Sequence, residues 1–217
     1  FPKKKRRVIG IPLASSFFDK SAINSPFPEQ LPIILITGGK QGSHSINKII
    51  EERLADFLKK FNLIHQSGGI IKTEDYQRLL ARKKSLPEKL EQRYVLKKFF
   101  YSEEMVKMLK LADLVISRSG AHIIYELATL VKPAILVPFP WTYKREQLAN
   151  AQILAQAGLA LIIPQKKLTS AGLYQKTNYV AEHLKEFHQK GLRLKKLIKK
   201  DAALRMMEVI EKILSTS

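Results

Sequence analysis

Between residues 33 and 163, six short strand-like runs alternate with five longer stretches of helical periodicity, and few folds accommodate that alternation. The runs occupy 33–36, 62–65, 94–96, 114–116, 134–137 and 160–163, and the helical patterns 43–60, 74–84, 102–111, 121–130 and 145–157. A run as short and apolar as Ile33-Ile34-Leu35-Ile36 suits a strand covered on both faces, the condition found in parallel sheets. Strand–helix–strand units close with right-handed crossovers. The expected fold is therefore α/β, a Rossmann-like parallel sheet flanked by helices. Thr169 has the chemistry of an N-cap, and the chain is expected to run helical from there to its end.

Sheets of this kind take ligands beyond the C-terminal ends of their strands, which singles out two corners. In the first, Leu114-Val115-Ile116 leads into Ser117-Arg118-Ser119-Gly120-Ala121-His122, and Ile123, Ile124 and Leu127 follow at helical spacing. Ser119-Gly120 thus sits where a strand stops and a helix starts. Free N–H groups and the positive end of the helix dipole favour an anion there, most often phosphate. Glu126 lies about a turn and a half into the helix, with a carboxylate able to accept two hydrogen bonds from a diol such as a ribose. The alternative is an ordinary strand–helix corner with a surface glutamate.

In the second corner the 33–36 run feeds Thr37-Gly38-Gly39-Lys40-Gln41-Gly42-Ser43, ahead of a helix marked by Ile46, Ile49, Ile50, Leu54, Phe57 and Leu58. Three glycines allow close backbone approach to a ligand, the helix start can again face an anion, and Lys40 adds a full positive charge. The loop lacks the Gly-Lys-Ser/Thr ending of a Walker loop and the spacing of G-x-G-x-x-G. A tight turn that needs glycine is the alternative here.

Four segments in order then carry a resemblance. Gly38-Gly39-Lys40-Gln41-Gly42, Ile64-His65-Gln66-Ser67-Gly68, and the stretch from Ala112 to Ala121 with Glu126 resemble the C-terminal half of the MurG family of peptidoglycan glycosyltransferases. So does Val137-Pro138-Phe139-Pro140 with Glu146-Gln147 and Asn150-Ala151, and the likeness runs from about residue 8 to residue 214. Members of that family add N-acetylglucosamine to lipid I and have two Rossmann-like domains of the GT-B type. The family's Gly-Gly-Thr-Gly-Gly-His loop, which belongs to its N-terminal domain, does not occur here. The resemblance therefore implies a donor-binding half without the acceptor domain. Residues 1–14 would be linker or the end of that domain, 15–200 the nucleotide-sugar domain, and 201–217 a helix packing toward the absent half.

The same resemblance implies donor contacts for Lys40, Gln41 and Gly42, for Arg118, Ser119, Gly120, Ala121, His122 and Ile123, and for Glu126. Tyr101 and Ser102 match the segment that meets uracil, although Ser102 stands where the family usually has a hydrophobic residue. Ser102 also reads as an N-cap with acids in the first turn, and the two roles are compatible. Glu146 and Gln147 match positions that meet the sugar or the diphosphate, with a solvated first helical turn as the alternative. Further departures are Lys40 in place of a small hydroxyl residue, Ala14 where the linker commonly offers Arg, and Ile123 for a frequent Thr. The donor would be UDP-N-acetylglucosamine, no metal would be required, and no general base can be named within this chain. His65 is assigned to the strand-end structure. For His122 a phosphate contact and simple exposure both stand.

Composition narrows the partners. With 38 Lys and Arg against 19 Asp and Glu the formal net charge is +19, and two clusters stand out, at residues 3–7 and over Lys190, Arg193, Lys195, Lys196, Lys199 and Lys200. No base-reading module accompanies them, so no specific nucleic acid is expected. Attraction to an anionic membrane surface and a merely solvated basic face are the two remaining readings. The first fits a lipid-linked acceptor and a cytoplasmic enzyme peripheral on the inner face of the membrane. No apolar run is long enough to span a bilayer, and the absence of cysteine excludes disulfides within this chain. Another GT-B glycolipid glycosyltransferase or a sugar-nucleotide epimerase is the near alternative. A non-catalytic basic module binding anionic lipid or nucleic acid is the distant one, and neither glycine corner is needed for it.

Overall fold

The computed structural model describes residues 7–19, 21–69, 73–199 and 201–215. Six parallel strands form one sheet in the order β3-β2-β1-β4-β5-β6. They are β1 Ile33–Thr37, β2 Asn62–Gln66, β3 Tyr94–Lys97, β4 Leu114–Ser117, β5 Ala134–Leu136 and β6 Ala160–Ile162. The helices are α1 His44–Glu52, α2 Leu54–Lys60, α3 Asp75–Lys84, α4 Glu88–Glu91, α5 Ser102–Leu111, α6 Ala121–Leu130, α7 Glu146–Gln156, α8 Ser170–Glu182, α9 Leu184–Gly191 and α10 Ala202–Ser215. The strand order reverses between β1 and β4, and a crevice opens at such a switch point. Thr37 pairs with Gln66 on one side and with Ser117 on the other, so three strands end level beneath that crevice.

Both faces of the centre of the sheet are covered, which is why β1, β4 and β5 read as nearly continuous apolar runs. On one face Leu35, Ile64, Val115 and Leu136 pack with Leu109, Leu127 and Leu154 from the helices. On the other, Ile34, Ile36, Leu63, Ile116 and Ile135 pack with Ile46, Ile50, Phe57 and Leu173. Each fully buried side chain of this size contributes about 1.5–3 kcal/mol of transfer free energy. The two faces together supply the driving force that levels the strand ends.

Two expectations about helices need correction. The pattern over 43–60 forms two helices, broken at Arg53, whose backbone leaves the helical region at φ −124° and ψ 25°. Its guanidinium lies 5.0 Å from the Tyr174 ring of α8, and Ile46, Ile50, Leu54, Phe57 and Leu58 are all fully buried across the break. After Thr169, which caps α8 by accepting the Gly172 N–H at 3.1 Å, the chain is not helical to its end. It breaks at His183, tightens into a 3₁₀ turn over Leu192–Leu197 and becomes extended at Ile198 before α10. The turn at Ile198 brings Lys199 to Tyr125, whose hydroxyl accepts the Lys199 N–H at 2.8 Å. Lys199 Nζ then donates to the Val8 carbonyl at 2.9 Å, so the stretch just before α10 and the start of the described chain meet beside Tyr125 of α6. Leu204, Met207, Ile210 and Leu214 of α10 are exposed.

A buried polar chain ties α1, β2, α3 and β3 together below the first glycine loop. Asn47 Nδ2 donates to the Ser67 carbonyl and to Asp75 Oδ2, both at 2.8 Å. His65, with no exposed surface, is held by Asn47 Oδ1 at 3.0 Å and the Tyr94 hydroxyl at 2.8 Å. This is the structural role expected of it. Burial lowers its pKa to about 3, against a smaller opposing pull from Asp75. The unfolded imidazole takes up a proton below about pH 6.5 while the folded one does not. Stability from this group is therefore complete above that pH and is lost as pH falls toward 3, at up to about 1.4 kcal/mol per pH unit. Denaturant titrations of wild type and His65→Gln at pH 7.5, 6 and 4.5 should show a gap that narrows with acid. A constant gap would mean that His65 stays neutral in both states.

Candidate nucleotide-binding cavity

A cavity of about 610 Å³ occupies the crevice above the level strand ends. Its floor is Thr37 at the end of β1 with Gly38, Gly39 and Lys40 of the loop that follows, together with Gln66 from β2, Ser117 at the end of β4 and Arg118 directly after it. One wall is α6, from its cap at Gly120 through Ala121, His122 and Ile123 to Glu126. The opposite wall is Phe99, Phe100, Tyr101, Ser102 and Met105, and Gln147 of α7 closes one side.

The loop after β1 keeps its shape through backbone contact. A Cβ on Gly42, where φ is +87°, would lie 2.0 Å from the Ser67 carbonyl oxygen, and one on Gly38 would lie 2.3 Å from Ser43 N. Only glycine permits that approach. Gln66 then joins floor to wall: its Nε2 donates to Thr37 Oγ1 at 3.1 Å and to the Gly39 carbonyl at 3.0 Å, while its Oε1 accepts the Phe100 N–H at 2.8 Å.

The N-terminus of α6 faces the cavity without a side-chain cap. Gly120 is its N-cap in extended backbone, and the first intrahelical bond formed there is from Ile124 N to the Gly120 carbonyl. The N–H groups of the first turn are thus left for a ligand, with the positive end of the dipole behind them. Arg118 adds a full charge beside them. Its guanidinium donates to the Val137 carbonyl and to Ser45 Oγ, each at 3.0 Å, and lies 5.3 Å from the Phe139 ring. No carboxylate pairs with it among the described residues, and burial lowers its pKa to about 10, leaving it cationic at neutral pH. Lys40 is exposed at the mouth, 5.8 Å over the Phe99 ring. Glu126, half-buried, has no hydrogen-bond partner among the described residues, and burial alone raises its pKa to about 7.

Lys40, Tyr101, Ser102, Arg118, Gly120, Ala121, His122, Ile123, Glu126 and Gln147 are thus brought to one cavity. Gln41, Gly42, Ser119 and Glu146 do not line it. Gly42 packs on Ser67 instead, and Ser119 is fully buried, with Oγ donating to the Gln147 carbonyl at 2.8 Å. Gln147 Oε1 accepts the Phe139 N–H at 2.9 Å and the Ser119 N–H at 3.4 Å, while Glu146, one residue earlier on α7, is exposed. The start of α1 contributes nothing to the lining, so of the helices that follow the two glycine corners only α6 presents its N-terminus to the cavity. Ser102 is not an N-cap: Tyr101 holds that position and α5 begins at Ser102. Met105, the last residue of the 101–105 segment likened to a uracil contact, also lines the cavity, whereas sequence reasoning missed Phe99 and Phe100, although both follow the end of β3, where the sheet topology directs ligands.

Outside the cavity the basic cluster near the C-terminus is partly engaged. Lys190 pairs with Glu186, Arg193 donates to the Gln156 carbonyl, and Lys195 and Lys196 are exposed. Residues 3–6 and Lys200 lie outside the described residues. Among the described residues no three His, Cys, Asp or Glu side chains are grouped to hold a metal ion. No described helix is long and apolar enough to cross a membrane.

The sequence matches the glycosyltransferase family 28 C-terminal domain over residues 33–209. A UDP-N-acetylglucosamine--N-acetylmuramyl-(pentapeptide) pyrophosphoryl-undecaprenol N-acetylglucosamine transferase of Clostridium botulinum (strain Kyoto / Type A2) is 38% identical over 159 residues, covering 72% of this chain and 41% of that relative. The crystal structure of Acinetobacter baumannii MurG superposes with a TM-score of 0.65 at 27% identity, covering 85% of this chain and 50% of the other. The calicheamicin glycosyltransferase CalG4 gives a TM-score of 0.66 at 15% identity over 89% of this chain and 46% of its own, a likeness of fold. The chain spans half or less of the length of these relatives.

The Glu126 carboxyl should titrate near pH 7 when followed by carbon NMR in labelled protein. Its folded pKa is raised, so the folded state holds a proton that the unfolded state has released. The stability this provides is present below about pH 4.5 and is lost as pH rises through 7, opposite in sign to the effect of His65. Glu126→Gln should remove that slope. A midpoint near the ordinary 4.5 would show that the carboxyl is solvated.

Proposed function

The chain belongs to glycosyltransferase family 28 through that family's C-terminal domain, and on this premise we propose that it is the donor-binding half of an inverting N-acetylglucosaminyltransferase of peptidoglycan synthesis. One observation carries the reading: an uncapped helix terminus and an unpartnered, half-buried carboxylate lie on the same wall of one cavity. In UDP-N-acetylglucosamine the diphosphate takes the first-turn N–H groups of α6 with Arg118, and the ribose diol donates to Glu126. The uracil lies against the Phe99–Tyr101 wall. The sugar is left at the mouth beside Gln147, and Lys40 can reach the diphosphate from the loop after β1.

The chemistry assigned to this half is positioning and stabilisation of the leaving group. As an acceptor hydroxyl attacks the anomeric carbon and the bond to the diphosphate breaks, negative charge grows on the oxygens at the α6 terminus. Preoriented N–H groups and a desolvated guanidinium stabilise that charge without reorganising. The acceptor, a lipid-linked muramyl peptide converted from lipid I to lipid II, and the general base belong to an N-terminal domain. The exposed apolar side of α10 is a surface for that domain. Work at the cytoplasmic face of the membrane, with Lys195 and Lys196 toward anionic lipid, completes the proposal. The activity for which the Clostridium botulinum relative is named favours this over another GT-B glycosyltransferase or an epimerase. A purely basic binding module has no use for the cavity.

By this reading the chain alone binds UDP and UDP-N-acetylglucosamine and transfers no sugar. Calorimetric titration and an assay with a lipid I analogue test both halves of the statement. Turnover by the purified chain, or no uptake of UDP, would defeat it.

Glu126→Gln should weaken UDP binding by ~1–3 kcal/mol, the scale of charge-assisted hydrogen bonds, and should affect 2′,3′-dideoxy-UDP much less. Hydroxyl donors favour the ionised carboxylate, so UDP-N-acetylglucosamine should displace a proton from the wild-type chain near pH 6.5. Its affinity should rise with pH toward a plateau above 7. Calorimetry in buffers of different ionisation enthalpy measures that proton, and Glu126→Gln should abolish it. Equal losses for the two nucleotides would remove the ribose from Glu126.

A further inference from the structure

A strap of exposed aromatic and cationic side chains stands beside the cavity. Between β5 and α7, Phe139 is 38% exposed, Trp141 76% and Tyr143 80%, and Lys144 and Arg145 follow at the surface. Large aromatic rings left this far in water forgo the burial that stabilises them elsewhere in the chain. The strap is not loosely tethered. Phe139 N and the Thr142 hydroxyl are bound by Gln147, through Oε1 at 2.9 Å and the backbone N–H at 3.4 Å. Phe139 also lies under the Arg118 guanidinium and meets Trp141 edge to face at 5.5 Å between centroids. Lys144 and Arg145 both hold left-handed backbone, at φ 47° and 55°, a conformation that is costly for non-glycine residues and persists where the surroundings impose it.

We propose that this strap is a membrane-contact element that seats Trp141 and Tyr143 in the headgroup region of an anionic phospholipid surface. The choice of occupant rests on side-chain chemistry and charge. Tryptophan and tyrosine, with an apolar ring and a polar N–H or O–H, favour the interface between water and hydrocarbon over either phase. Two cations adjoin them. Lys144 Nζ lies 5.3 Å over the Tyr143 ring, and neither Lys144 nor Arg145 forms an ion pair among the described residues. Glu146 is the one acid adjoining this pair in sequence, and the chain as a whole carries +19. Clustered cations are drawn to an anionic leaflet, which brings the rings to the depth where they partition. The contact is distinct from the exposed Lys195 and Lys196, whose attraction needs no insertion. Gln147 joins the base of the strap to the cavity side wall, so lipid contact and the cavity mouth share one support.

Trp141 is the only tryptophan in the chain, so its fluorescence reports on the strap directly. The full chain is mixed with phosphatidylglycerol vesicles, with phosphatidylcholine vesicles, and with UDP-N-acetylglucosamine in the absence of lipid. The expected result is a blue-shifted emission with phosphatidylglycerol alone, protection from acrylamide, and quenching by acyl chains brominated near the headgroup. Trp141→Ser with Tyr143→Ser should cut sedimentation with these vesicles at least roughly tenfold, the scale of removing two buried ring surfaces. It should leave thermal unfolding within a few degrees of wild type. Lys195→Gln with Lys196→Gln should weaken sedimentation and keep the blue shift of the bound fraction. Sedimentation with unchanged Trp141 emission would overturn the proposal, because the chain would then be held by its other cations. A blue shift on nucleotide sugar alone would overturn it too, because the strap would then be a cover for the cavity. UDP binding is read separately, so its failure would leave the vesicle result standing.

Discussion

The backbone of Gly42 lies directly on that of Ser67 and Gly68, and the upper part of the molecule depends on this contact. A Cβ at Gly68 would lie 2.2 Å from Gly42, and one at Gly42 closer still to the Ser67 carbonyl, so no side chain can be inserted on either strand end. Two loops that leave neighbouring parallel strands are thereby pressed into one surface. Asn47 holds the Ser67 carbonyl from below at 2.8 Å, and Lys40 O accepts the Gly69 N–H at 3.1 Å from above. Because Thr37, Gln66 and Ser117 end at one level, the pressed loops and the α6 terminus face each other across the switch point. Close packing of backbone is here the condition for a cavity.

That cavity concentrates groups whose charges the fold does not neutralise. Arg118 is desolvated and bound only by neutral acceptors, and the first-turn N–H groups of α6 lack a side-chain cap. Glu126, on the same helix, is held near its midpoint at neutral pH by burial alone. A protein interior normally pairs such groups, since an unpaired charge in a desolvated setting is costly. Leaving positive charge at one end of a helix segment and a proton-accepting carboxyl further along it suits a guest that is anionic in one part and hydroxylated in another.

The central strands β1, β4 and β5 were legible because they are covered on both faces and therefore written as nearly uninterrupted apolar runs, as in Ile33-Ile34-Leu35-Ile36, while β2 carries buried Asn62, His65 and Gln66 and the edge strands β3 and β6 are only partly covered. The bounds of α5 and α6 were equally plain, since each starts directly after a strand-end loop and ends on an apolar residue of the core. The break at Arg53 was not, because arginine is a good helix former and one group its side chain meets there, Tyr174, comes from a helix far along the chain. In the cavity, Gly120 and Glu126 announced themselves through a strand–helix junction that needs only local sequence. The aromatic wall did not, because Phe99 and Phe100 look like any apolar pair until the sheet order sets the end of β3 opposite α6. Glu146 and Gln147 show the limit of residue-level transfer: a rotation of about 100° between consecutive helical positions sends one outward and the other to the cavity.

Gln66 spends its amide on the loop after β1 and on the segment after β3, and so makes floor and wall a single mechanical piece. A guest too deep for the space must first part these bonds, each worth about 0.5–1.5 kcal/mol net. A guest that fits meets walls already at their final separation and costs little ordering entropy on entry. The depth of the cavity is thus set by a side chain whose amide is committed to the floor and wall it joins, in the way that a spacer sets the jaw of a clamp.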